Sequence, residues 1–172
     1  MKNYKKNWKT LASKINLNKM CYVRVEGVPK SQKRHRTSSV NGYIRNYDPS
    51  SKDKSVFEKK LTQSNPKLLT GAISLSLTFY MPRPKNHYRT GRYKHKLKGK
   101  SPVYHLNKPD IDNLIKFVLD SGNGILWKDD SQIFQIEALK KYCKYPRTEI
   151  EYWEIAYENT RERIEKYTGS EH

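Results

Sequence analysis

Five aspartates, Asp110, Asp112, Asp120, Asp129 and Asp130, fall within 21 residues of a 172-residue chain whose formal net charge is +18. Carboxylates gathered in one place repel and raise one another's pKa unless a cation stands among them. Hard divalent ions with oxygen ligands relieve that repulsion, and Mg²⁺ is the usual choice at phosphate chemistry. Such an ion can activate water or stabilise a leaving oxygen. A nearby lysine such as Lys116 can then carry phosphoryl charge or orient the nucleophile. The surrounding cations call for a polyanion, and a phosphate backbone is the usual partner of so basic a chain. Together these residue types point to metal-assisted phosphodiester hydrolysis.

The spacing sets conditions on that chemistry. Ile111, Leu114, Ile115, Val118 and Leu119 follow the period of an apolar helix face over 110–121. Asp112, Lys116 and Asp120 line a different face at i, i+4 and i+8. Residues two apart within a helix point away from each other, so Asp110 and Asp112 converge only if Asp110 lies at or before the first turn. Asp129 and Asp130 sit in a short link before the next strand. Asp130 joins the first pair if that strand begins beside the helix N-terminus. A simpler account also covers part of the pattern: Asp110 as N-cap, Asp112 as a first-turn charge, and Lys116 as an i+4 ion-pair partner. Asp120 is expected to support Lys116 by the same spacing.

The elements that must position these groups read as a mixed α/β or α+β domain. Residues 21–29 alternate into a turn at Gly27 and Pro29, which predicts a strand. A helix is expected over about 51–64, with Val56, Phe57 and Leu61 as its stripe. AISLSLTFYMP at 72–82 is the clearest half-buried strand. Gly122 is a candidate helix cap. Strands over 131–144 and 148–157 are expected to pair through a turn at Pro146, and Asn159 opens a last helix over 159–167. The expected architecture is a single domain over 21–172, with about four strands and helices packed on them, after a basic extension at 1–20.

Charge divides the chain. Residues 1–109 hold 26 Lys and Arg against 4 Asp and Glu, whereas 110–172 hold 9 against 13. Lys33, Arg34 and Arg36 cluster in the loop after the first strand. Residues 83–100 hold eight Lys or Arg and no acid. That segment lacks any period and reads as a flexible loop that orders on a polyanion. Its candidate nucleic-acid contacts are Arg83, Lys85, Arg89, Arg92, Lys94, Lys96, Lys98 and Lys100. Cys21 and Cys143 form no CxxC, which argues against zinc. No signal peptide or membrane-spanning run is apparent, and no small-molecule cofactor motif, so a cytoplasmic protein is expected.

KPDIDNLIKFVLDSGNGILWKDDSQI resembles the core motif of RusA-type Holliday junction resolvases: Asp-x-Asp-Asn-Leu-x-Lys, a further Asp, then Asp-Asp before a strand. VEGVPKSQKRHRTS, FYMPRPK and EIEYWEI resemble the family's flanking segments, so the likeness covers roughly 21–157. The resemblance implies a homodimeric endodeoxyribonuclease. Such an enzyme binds four-way DNA junctions and cuts opposing strands with Mg²⁺, or Mn²⁺ in its place. A role in DNA recombination and repair follows from it, and such enzymes are often phage-borne. Asp110, Asp112 and Asp130 match the metal-binding catalytic carboxylates and Lys116 the catalytic lysine, with Asp129 as an alternative ligand. A less selective branched-DNA or flap nuclease, and a non-catalytic basic nucleic-acid binder, are the competing readings.

Overall fold

The alternation at 72–82 becomes the centre of the molecule. A computed structural model describes residues 20–40 and 43–155. The elements run β1 (Cys21–Glu26), β2 (Arg36–Val40), β3 (Tyr43–Tyr47), α1 (Ser51–Gln63), β4 (Ala72–Pro82), α2 (Ile111–Gly122), β5 (Ile133–Cys143) and β6 (Arg147–Ile155). Four strands form one mixed sheet in the order β1-β6-β4-β5, and β2 and β3 form a separate two-stranded ribbon. This is the expected α+β domain. The extension at 1–19 and the helix expected at 159–167 lie outside the described residues.

Period-2 patterning explains the core. Ile73, Leu75, Leu77, Phe79 and Met81 all project from one face of β4 and are buried. Val23 and Val25 of β1 and Ile150 and Tyr152 of β6 continue that layer. Phe57 and Leu61 of α1 and Leu114, Phe117 and Val118 of α2 cover it. Phe57 and Phe117 meet edge to face at 5.4 Å, joining the two helices. The apolar stripes are rotated from the expected ones. Val56 and Ile111 are exposed, and Phe117 is buried. Only one side of each helix reaches the sheet, and the neighbouring helix, rather than the period alone, decides which side.

Gly122 has a different part from the expected cap. It ends α2, Asn123 caps it, and a Cβ at 122 would lie 2.3 Å from Trp127 Cζ2. The buried indole therefore requires glycine there, and its Nε1 donates to Asn123 Oδ1 at 2.9 Å.

The pairing of the last two strands differs from expectation. β5 and β6 do not pair with each other. β4 lies between them, parallel to β5 and antiparallel to β6. The short link after Cys143 passes across the end of β4, where Arg83 N donates to Cys143 O at 3.1 Å. A tight link normally signals a hairpin, but β4 has an apolar row that gains more by sitting centrally than an edge would allow.

Candidate active site

The backbone before α2 meets the condition that the spacing set. Asp110 has φ −70° and ψ 148°, extended rather than helical, and follows a cis Lys108–Pro109 bond. Its carbonyl accepts from Leu114 N at 3.3 Å, yet its carboxylate makes no cap bond. The simple N-cap role is thus absent. Asp112, inside the first turn, receives Asn113 Nδ2 at 3.3 Å. Lys116 is exposed, and among the described residues it forms no ion pair with Asp112 or Asp120. The i+4 pairings expected on this face do not form.

Lys140 on β5 holds the turn that presents Asp110. Its Nζ donates to Asn107 O at 2.8 Å and to Pro109 O at 2.6 Å. Asn107 Nδ2 donates in turn to Tyr142 Oη at 3.1 Å. Residues 103–107 run along β5, with His105 N donating to Lys140 O at 3.1 Å and Tyr142 N to Val103 O at 2.9 Å. Burial, and then the Lys140 charge, push the His105 imidazole below its ordinary pKa, so a neutral ring packs on Tyr142. Sequence reasoning passed over Lys140. One signal was present: alternation puts it on the same face of its strand as Ala138 and Tyr142, an unusual place for a lysine.

The second acidic pair divides by role. Asp129 caps a single 3-10 turn, Asp130–Gln132, its carboxylate accepting from Ser131 N at 2.9 Å while Gln132 Oε1 accepts from Asp129 N at 2.9 Å. Those Ser131 contacts hold its carboxyl below the usual range. Gln132 Nε2 also donates to Gly71 O at 2.9 Å, tying the turn to the start of β4. The Asp130 carboxylate makes no hydrogen bond or ion pair among the described residues, although its carbonyl accepts from Ile133 N, and its turn packs against α2. Asp110, Asp112 and Asp130 therefore offer carboxylates with little or no competing engagement, the donor type that a hard divalent ion takes. Among the described residues no three His, Cys, Asp or Glu groups already lie close enough together to hold a metal ion.

Asp120 serves another purpose. Lys54 Nζ of α1 lies 2.9 Å from Asp120 Oδ2 and 3.0 Å from Asp48 Oδ2. Burial alone would raise the Asp48 pKa, but the Ser50 amide, Gln32 and Lys54 hold it well below the carboxylate range. Gln32 Nε2 donates to both Asp48 oxygens at 3.1 and 3.0 Å, and Gln32 N donates to Asn113 O at 2.8 Å. Lys33 N donates to Ser50 Oγ at 2.8 Å. The cationic loop is thereby stapled to the first turn of α2. Asp48 was the available clue, as one of only four acids before residue 110.

Lys33, Arg34 and Arg36 are exposed on that loop and its strand, with Lys33 Nζ 3.9 Å from Asp53. Residues 83–100, expected as a loop without regular structure, fold back on themselves. Arg89 N donates to Lys96 O and Lys98 N to His87 O, both at 2.9 Å. Lys85, Arg89, Arg92, Lys94, Lys96, Lys98 and Lys100 all face solvent. Arg83 is the exception. Its guanidinium donates to Pro102 O at 2.8 Å and Tyr142 O at 3.4 Å, so it latches this segment to β5.

A four-stranded mixed sheet carrying lightly engaged carboxylates at a helix start, flanked by a cationic loop and a cationic fold-back, defines a small nucleic-acid-directed α+β domain. The family model for endodeoxyribonuclease RusA matches residues 26–152, and the chain belongs to that family. It is also 33% identical over 138 residues to uncharacterized protein YqaN of Bacillus subtilis (strain 168), covering 77% of this chain and 94% of that protein. Membership indicates endodeoxyribonuclease activity. The family binds branched DNA, and its nucleases generally depend on a divalent metal. Among the described residues, no helix is long and apolar enough to cross a membrane.

Proposed function

We propose that this chain is a homodimeric, Mg²⁺-dependent endonuclease that resolves four-way DNA junctions by paired phosphodiester hydrolysis. The observation that carries this reading is the extended backbone of Asp110 directly before α2, which leaves its carboxylate free of cap duty beside Asp112. Asp110 and Asp112 would hold the ion, and the motif resemblance adds Asp130 as the third carboxylate. Asp130 is preferred over Asp129 because the Asp129 carboxylate is engaged by Ser131. When bound, the ion supplies an activated water and charge stabilisation at the scissile phosphate.

The chain's own groups do the rest. Lys140 fixes the Pro109 carbonyl and so orients Asp110. Lys116, without an ion-pair partner among the described residues and on the exposed face of α2, is available to the phosphoryl charge. Lys33, Arg34, Arg36 and the cations of 85–100 hold the backbone of the duplex arms. A four-way junction is nearly two-fold, so two copies related by a two-fold axis would cut symmetric strands.

The test is cleavage of a labelled four-way junction, a flap and a plain duplex, each with Mg²⁺ or with chelator, alongside sedimentation of the protein. Symmetric nicking of the junction that chelator abolishes is the expected result. Equal cutting of the flap would instead make this a general branched-DNA nuclease. Binding without any cutting would overturn the reading.

A further inference from the structure

The ribbon of β2 and β3 was absent from the expected elements, and of its residues the site described above uses only Arg36. Its register pairs Arg36 with Tyr47, Ser38 with Arg45, and Val40 with Tyr43. Paired residues share a face, and residues two apart in a strand share a face. Tyr43, Arg45, Tyr47 and Arg36 therefore form one stripe. The opposite face carries Thr37, Asn46 and Ile44, with Thr37 Oγ1 donating to Asn46 Oδ1 at 2.9 Å. Tyr43 is 80% exposed, Ile44 76% and Tyr47 46%. Every described β3 side chain faces solvent, and among the described residues the ribbon packs extensively on no other helix or strand. Residues 27–47 contain no Asp or Glu.

The root of this ribbon is rigid. Gln32 precedes it and Asp48 follows it directly, and the two are hydrogen-bonded to each other. Lys54 grips Asp48, and Gln32 N is bonded to Asn113 O in the first turn of α2. A ligand lying on the stripe is thus held in fixed relation to Asp112.

We propose that the Tyr43–Arg45–Tyr47 face binds unpaired nucleotides, stacking bases on the tyrosines and against the Arg45 guanidinium. This rests on the nuclease reading and gives that site the unpaired bases beside the branch or at a strand end. Same-face neighbours in a strand are about 6.7 Å apart. That is close to two base-stacking steps of about 3.4 Å, so one base fits between Tyr43 and Arg45 and another between Arg45 and Tyr47. Bases within a duplex are already stacked and cannot enter without opening. Tyrosine rings accept any base face, and arginine adds cation–π attraction and phosphate pairing. A stripe bearing Arg36 and Arg45, with no acid within the ribbon itself, suits a polyanion rather than a protein surface of mixed charge.

The experiment measures binding in chelator, so no cleavage is needed. The probes are a single-stranded oligonucleotide, a junction carrying 2-aminopurine beside the branch, and a plain duplex. The variants are Tyr43→Val and Tyr47→Val, which keep strand propensity, with Tyr43→Phe as the conservative control. Single-strand affinity should fall roughly 5- to 150-fold for each tyrosine replaced by valine. Duplex affinity should change far less, the 2-aminopurine quench should disappear, and Tyr43→Phe should retain both. Unchanged single-strand binding overturns the inference. So does an equal fall on single strand and duplex, which would make the ribbon a plain charged surface. A change in oligomeric state in place of altered binding also overturns it, assigning the face to a second copy. A protein that binds strands through this face but never cuts would sink the nuclease reading alone.

Discussion

Lys54→Met isolates the charge cluster that ties α1, α2 and the cationic loop together. In the folded protein one ammonium serves two carboxylates, at 2.9 Å to Asp120 and 3.0 Å to Asp48. The Lys54 side chain is 17% exposed, Asp48 18% and Asp120 30%. Removing one partner of a fully buried pair costs about 3–5 kcal/mol because a charge is stranded. Partial exposure here lowers that to about 2–3 kcal/mol. For a chain of this size the melting temperature should drop by about 4–12 °C.

The loss should also depend on pH. The folded pKa of Asp48 lies below its unfolded value of about 3.9. The unfolded chain therefore takes up that proton first as pH falls, so the stabilisation is full above about pH 4 and fades below it. The penalty of Lys54→Met should be largest near neutrality and shrink by about pH 3, where the stranded Asp48 carboxylate protonates. Adding Asp120→Asn should recover part of it, with a coupling of about 1–2 kcal/mol. Calorimetric melts of the four proteins of this cycle at pH 7 and pH 3 provide the assay. A shift below about 1 °C, or one identical at both pH values, would refute the reasoning.

Other outcomes follow from the same structure. Asp110→Asn and Asp112→Asn should each slow junction cleavage at least about 100-fold with binding retained, and Lys116→Ala should do so to a similar degree; gel-based cleavage and band shifts separate the two effects. Lys140→Met should lower kcat about 10- to 100-fold with little change in KM, since it moves Asp110 without touching DNA. Its half-saturating Mg²⁺ concentration should rise, and Lys140→Arg should partly restore both; a loss confined to melting temperature would leave Lys140 a structural residue only. Replacing Lys94, Lys96, Lys98 and Lys100 by Gln should weaken binding and reduce the salt slope by about 0.9 for each phosphate that these lysines neutralise. Unchanged affinity would make that segment a bystander.

Local patterns in the chain were readable where local physics decides. The alternation of 72–82 defined β4 to the residue, because a half-buried strand needs period 2 whatever its neighbours. The helix over 111–122 was legible from its own period. The ribbon was also written locally, with Asn41-Gly42 between two short strand-like runs, a strong hairpin signal that went unread. The β5–β6 pairing was misjudged because alternation says which face is buried but not which strand lies alongside. Asp120 was assigned to Lys116, four residues away. Its partner is Lys54, 66 residues away, because α1 packs on α2 and brings a lysine to a half-buried place where pairing is worth more.

Residue types and spacing alone marked out an acidic site in a cationic chain, the start of the helix that carries it, and the polyanion it serves. Those follow from chemistry carried along a few consecutive residues. The fold alone decided which aspartates remain available. Asp129 is engaged by the turn it caps and Asp120 by a lysine from another helix, while the Asp130 carboxylate makes no bond among the described residues. Asp110 is aimed by a lysine on a strand that the sequence places 30 residues downstream. A carboxylate's competing partners come from whatever the chain brings within about 3 Å, and only packing sets that distance.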